Sequence, residues 1–155
     1  MTASRRLAEL GIVLPPVATP VGAYVPAIAH GTTVRTSGQL PLEGGVLRAT
    51  GVVGEGPGCV SVDEAAACAR IAALAALAAL ADAAGGIDAI ARIIRVVGYV
   101  ASEPGFTGQA TVLNGASALM IDVFGEAGTH VRSAVGVVSL PLGAPVEIEV
   151  EALLA

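Results

Sequence analysis

The segment that most constrains the fold runs from Ser61 to Gly86. Ser61-Val62-Asp63-Glu64 places serine at a helix N-cap and glutamate three residues on, and an apolar run follows at once. That run continues through Ala65–Ala84 and meets Gly85-Gly86, which ends it. A helix over this stretch is about 35 Å long at ~1.5 Å per residue. Its heavier stripe is Ile71, Leu74, Leu77 and Leu80, with alanine nearly everywhere else. Spanning a bilayer is one reading of such a segment. Yet Ala65–Ala81 is only marginally long, is interrupted by Arg70 and consists mainly of weakly apolar alanine. The expectation is a helix lying flat on a sheet, with alanine allowing close backbone approach.

The flanking sequence supplies the sheet. Ser4–Leu10 predicts a short helical turn stopped by Gly11, and Pro15, Pro16 and Pro20 impose an extended lead-in. Tyr24–Ala29 and Thr32–Ser37 read as short strands around a tight turn at His30-Gly31. Gly44 and Gly45 continue the hairpin character into Val46-Leu47. Gly51–Gly58 is glycine-rich, but Pro57 removes an amide donor and no Lys-Ser/Thr follows, so a surface loop is expected and not a phosphate loop. Ile90–Val100 predicts a long central strand. Thr107–Phe124 predicts a second helix, with Val112, Ala116, Leu119 and Val123 at helical spacing. Asn114-Gly115 sits inside that helix although both are poor helix formers, which marks either a site or a close packing contact. Val131–Ser139 and Val146–Leu153 are the last strands. In the latter Val146, Ile148, Val150 and Ala152 face one way and Glu147, Glu149 and Glu151 the other. The order of elements predicts an α+β fold: a single mixed β-sheet with two α-helices packed on one face. A chain of 155 residues forms one domain by default. Residues 1–20 read as an N-terminal arm and 21–155 as the α+β domain.

Composition excludes several chemistries. All eight basic residues are arginine, so no lysine is present to form a Schiff base or to complete a Walker-type loop. A net charge of −5 argues against nucleic acid as a partner. Cys59 and Cys68 lie nine positions apart, and His30 and His130 are isolated, so no zinc spacing exists and no metal or cofactor is expected. With no charged-then-apolar leader at the chain start, the expected home is reduced and cytoplasmic. The hydrophobic fraction is 54% with only 14% charged, high enough to expect a core that extends across subunit contacts.

One arginine stands apart. In His130–Pro141, alternation puts Arg132 on the same side as Ala134, Gly136 and Val138. A guanidinium fork beside small residues leaves room for a planar anion, and a carboxylate fits it bidentately. The competing reading is a strand-end arginine paired with a surface acid. His130, two positions earlier, either supplements such a site or is an ordinary strand-entry residue.

Val21-Gly22-Ala23-Tyr24-Val25, Thr36-Ser37-Gly38-Gln39-Leu40-Pro41, Asn114, Arg132-Ser133-x-Val135 and Leu140-Pro141 before Glu147-Ile148-Glu149 occur in this order. Together they resemble the Rid family (the YjgF/YER057c/UK114 family), over residue 20 to the end. The arm, the longer loop before Ser61 and Arg-Ser-Ala-Val-Gly-Val resemble a less characterised branch more than the main deaminase branch. The resemblance implies a chorismate-mutase-like fold assembled as a homotrimer, with sites in clefts between subunits. In deaminase members the arginine matching Arg132 grips the substrate carboxylate, and the glutamate matching Glu147 holds or activates water. The positions matching Tyr24, Ser37, Gly38 and Asn114 line or support the pocket. Ala134 stands in that pocket where the deaminase branch usually has cysteine.

The activity this implies is hydrolysis of enamines and imines derived from amino acids, giving 2-keto acids and ammonia. An imine carbon is already electrophilic, so the protein needs only to anchor the carboxylate and position a water. Arg132 and Glu147 suit those roles. The alternative is a non-catalytic binder of a carboxylate metabolite that uses the same pocket. A third possibility is the ribonuclease activity sometimes attached to the family, against which the charge and the absence of lysine argue.

Overall fold

A computed structural model describes all of residues 1–155. The elements run α1 (Ala3–Glu9), β1 (Ala27–His30), β2 (Thr33–Thr36), β3 (Leu42–Glu43), β4 (Val46–Leu47), α2 (Val62–Ala84), β5 (Ile90–Ala101), α3 (Gln109–Phe124), β6 (Val131–Val137) and β7 (Val146–Leu154). Five strands form one sheet in the order β1-β2-β7-β5-β6, while β3 and β4 pair separately. Every pair in the large sheet is antiparallel except β5 with β6, so the sheet is mixed. That parallel pair needs a crossover, and α3 supplies it.

The expected helix lies on this sheet. Ser61 caps α2 by accepting from the Glu64 amide at 3.2 Å, and Gly85 ends it in the left-handed region at φ 80°. The capping box is only half formed: the Glu64 carboxylate accepts from Arg48 Nε at 2.8 Å and does not turn back to Ser61. Ala65, Ala69, Ala72, Ala73 and Ala76 are fully buried along with Leu77 and Leu80. Ile71 and Leu74 of the heavier stripe are only half-buried. The helix is long and apolar enough to cross a membrane, yet its buried face rests on β7 and α3.

Helix α3 lies beside α2 and over β5. A Cβ at Gly115 would overlap the Ala66 carbonyl, and one at Gly98 would overlap the Leu113 side chain. Close packing therefore accounts for Gly115, as one of the two readings held. The strand β7 alternates as expected, with Val146, Ile148, Val150 and Ala152 buried and Glu147, Glu149 and Glu151 half-buried on the other face.

Three details differ from the sequence expectation. The first strand begins at Ala27 and not Tyr24, and its tight turn is Gly31-Thr32, because His30 pairs with Thr33. β3 and β4 form a ribbon of their own outside the main sheet. A third helix packs against α3: α1 buries Ala3 and Leu7, and Arg6 Nε donates to the Asp122 carbonyl at 2.8 Å.

Candidate functional site

Strand β6 is an edge strand, and its register with β5 decides where Arg132 points. Arg132 is opposite Val96, Ala134 opposite Gly98 and Gly136 opposite Val100. Val96 and Val100 are fully buried beneath the helices, so Arg132, Ala134 and Gly136 share the helix side of the sheet. Helix α3 meets Arg132 there. Its Nη1 donates to Asn114 Oδ1 at 2.9 Å and to Ser117 Oγ at 3.1 Å. Asn114 and Ser117 are three apart, hence neighbours on one helical face. Ser117 Oγ lies 3.0 Å from His130 Nε2, and His130 Nδ1 lies 2.6 Å from the Gly128 carbonyl oxygen.

Arg132 pairs with no acid. Arg5, Arg6, Arg35, Arg48 and Arg70 each lie within ion-pair distance of a carboxylate, and Arg132 does not. The surface-pair reading is thus set aside: neutral acceptors hold the guanidinium and leave its charge uncompensated. Beyond it the floor is small. A Cβ at Gly136 would come within 2.8 Å of Gln109 Nε2, so the strand admits nothing larger there without movement.

Glu147 stands elsewhere. It pairs with Tyr99, three residues along β5 from Val96, and so lies on the sheet face away from the helices. Its carboxylate sits against Gly38, where a Cβ would overlap it. Gln39 fixes that approach by exchanging backbone hydrogen bonds with Ile148, at 2.8 and 3.0 Å. Ser37 Oγ donates to the Val25 carbonyl at 2.5 Å, and Tyr24 follows as a half-exposed side chain. Burial, and secondarily Glu149 on the same face, push the Glu147 carboxyl above the ordinary carboxylate range.

The predicted residues therefore form two clusters within one chain. Arg132, Asn114 and Ala134 line the helix side of β6, and Glu147, Gly38 and Ser37 gather across the sheet, while Tyr24 lies in the exposed segment before β1. Sequence reasoning missed Ser117, whose one signal was its spacing from Asn114. Of the two readings of His130, supplementing the site or simple strand entry, the ring's link to the arginine through Ser117 is nearer the first. No group of three His, Cys, Asp or Glu side chains is placed to hold a metal ion.

Two helices on one face of a β1-β2-β7-β5-β6 sheet, with an arginine on the edge strand, define the chorismate-mutase-like α+β class. Residues 4–150 match the family model described as "YjgF/chorismate_mutase-like, putative endoribonuclease", and the chain belongs to that family, also called Rid. Protein TCP17 of Trypanosoma cruzi is 42% identical over 146 residues, covering 92% of this chain and 88% of that protein. A crystal structure described as a putative endoribonuclease, from Shewanella oneidensis, superposes with a TM-score of 0.93 at 34% identity, covering 99% of this chain and 100% of that one. Atu1372 of Agrobacterium tumefaciens, of unknown function, gives 0.86 at 40% identity, covering 99% and 92%. Escherichia coli TdcF, solved with bound serine, gives 0.63 at 26% identity, covering 92% and 94%.

Proposed function

We propose that this protein hydrolyses reactive enamines and imines derived from amino acids, giving 2-keto acids and ammonia, with Arg132 binding the substrate carboxylate. The observation that carries this reading is the state of Arg132: half-buried, held by the neutral groups of Asn114 and Ser117, and paired with no acid. A guanidinium left uncompensated in this way is a receptor for a planar anion. Serine, itself a carboxylate-bearing small molecule, is bound in the structure of the relative TdcF, which supports a ligand of that class.

The chemistry is within reach of the residues present. Water adds to the C=N carbon and its proton passes to nitrogen. The resulting carbinolamine then expels ammonia and leaves the ketone. Glu147, with its carboxyl raised by burial, suits a general base that works closer to neutrality. Because it lies across the sheet from Arg132, both can serve one site only if two copies contribute. The assembly that the family resemblance implies, a homotrimer with clefts between copies, is part of the proposal. Tyr24, Ser37 and Gly38 would come from the copy that brings Glu147, and Asn114 and Ala134 from the copy that brings Arg132. A cytoplasmic location, no cofactor and no nucleic-acid partner complete the reading. The net charge of −5 speaks against RNA as substrate.

Separation of Glu147 from Arg132 within the chain favours a second reading, in which the same pocket binds a carboxylate metabolite without catalysis. The test measures ammonia release from a freshly generated imino acid. Loss of activity in Arg132→Ala is expected, and unchanged rates in that variant reject the assignment. Calorimetric binding of pyruvate, with no hydrolysis across an imine panel, selects the binding reading.

A further inference from the structure

Arg132 carries five N–H donors, and the chain engages them unevenly. Nη1 donates to both Asn114 Oδ1, at 2.9 Å, and Ser117 Oγ, at 3.1 Å, which uses its two hydrogens. Nε and Nη2 donate to no group of the chain. A carboxylate can meet a guanidinium across Nη1 and Nη2 or across Nε and Nη2. With Nη1 committed, only the second edge is open.

Ser117 is itself set from behind. The Gly128 carbonyl oxygen only accepts, so at 2.6 Å it fixes the hydrogen of His130 on Nδ1. In the neutral ring Nε2 is then an acceptor and takes the Ser117 hydroxyl hydrogen across 3.0 Å. The serine oxygen keeps its lone pairs for Arg132. Gly128 is buried, and a Cβ there would overlap the Met120 carbonyl, so this anchor is pressed against the end of α3. The hydrogen bonds Arg132 to Ser117, Ser117 to His130 and His130 to Gly128 all run in one donor direction, an arrangement whose members strengthen one another.

The geometry points to Ser117 and His130 as positioning residues that hold the Arg132 guanidinium with its Nε/Nη2 edge presented, so that the site takes a two-oxygen planar anion side-on. Neither residue touches the ligand; each acts through Arg132. The inference rests on the carboxylate reading of Arg132 given above.

Two measurements test it, one of them without any ligand. In protein labelled with ¹⁵N-arginine, the Arg132 Nη hydrogens of the wild type give separate, slowly exchanging lines. These lines collapse in Ser117→Ala and in His130→Phe, which keeps an aromatic ring but no hydrogen bond, and survive in Ser117→Thr, which keeps the hydroxyl. With pyruvate as the probe, Ser117→Ala and His130→Phe each weaken binding about tenfold, as loss of a hydrogen bond to a charged group does. The double variant is no weaker than either single one, because both act through one chain of bonds. On an imino acid the loss falls on KM and leaves kcat within about twofold. Separate Arg132 lines in both variants, together with wild-type pyruvate affinity, overturn the inference. Wild-type pyruvate binding by Arg132→Ala would instead overturn the carboxylate reading, and the line shapes alone then decide the positioning role.

Discussion

Arg132 and Glu147 face opposite sides of one sheet: Arg132 is registered with Val96, which lies under the helices, and Glu147 with Tyr99, which does not. A side chain of either residue cannot cross the strand between them. Any shared chemistry has to be assembled from two copies. Chains carrying Arg132→Ala and chains carrying Glu147→Ala, each inactive alone, should regain about a quarter of wild-type ammonia release when co-expressed in equal amounts, since one cleft in four draws an intact residue from each neighbour. Mixed protein as inactive as its parents would separate the two residues functionally.

Arg132→Lys tests the fork and not the charge. Lysine offers a point charge and cannot present two parallel donors. Pyruvate affinity should fall about tenfold to a hundredfold by calorimetry. An affinity equal to wild type would mean that charge alone holds the anion.

The raised pKa of Glu147 has a stability consequence. Burial, followed by Glu149, makes the folded state hold this proton more tightly than the unfolded chain does. The associated stability is fully present below the ordinary carboxylate pKa and is lost as pH rises through the raised one. Glu147→Gln removes the ionisation, so the variant should melt above wild type at pH 7, and the two should converge in acid. A lower melting temperature for the variant at pH 7 would contradict the sign.

Gly115→Ala probes the contact of α3 with α2. Alanine is the better helix former, so propensity alone favours the change. The Ala66 carbonyl occupies the place of the new methyl, however, and overpacking of this kind costs about 1–3 kcal/mol. Urea unfolding should record a net loss, and a gain would show that the helices separate easily.

The half-formed cap of α2 separates two neighbouring substitutions. Ser61→Ala removes the bond to the Glu64 amide and should cost about 1 kcal/mol. Glu64→Ala, which leaves no side chain able to reach back to the cap, loses only an exposed pair with Arg48 and should stay within about 0.5 kcal/mol. Equal losses in denaturant titrations would mean that the glutamate caps after all.

What the chain revealed before folding was whatever depends on local periodicity. The two-residue alternation of Val146–Leu153 and the Ser61 cap are such features, and so is the face shared by Arg132 and Ala134. The buried side of α2 was harder to read. With alanine on every side, size contrast drew attention to Ile71 and Leu74, whereas the contact with β7 and α3 selects small residues and buries Ala69, Ala72 and Ala76. The split of the site was not legible in the residues themselves, although the resemblance implied clefts between subunits. Whether Glu147 falls beside Arg132 depends on the registers of β6 and β7 on β5, a long-range pairing that no window of sequence contains. Ser117 was hidden for the same reason, since it becomes a partner of Arg132 only when α3 crosses over β6.

On the proposed reading, placing Arg132 on β6 ties recognition to a border. The outer flank of that strand has backbone amides and carbonyls with no strand of the same chain beside them, so whatever docks along it also becomes a wall of the proposed anion site. Changes in that neighbouring wall can retune which metabolite fits while the five-stranded frame and its cationic grip stay as they are.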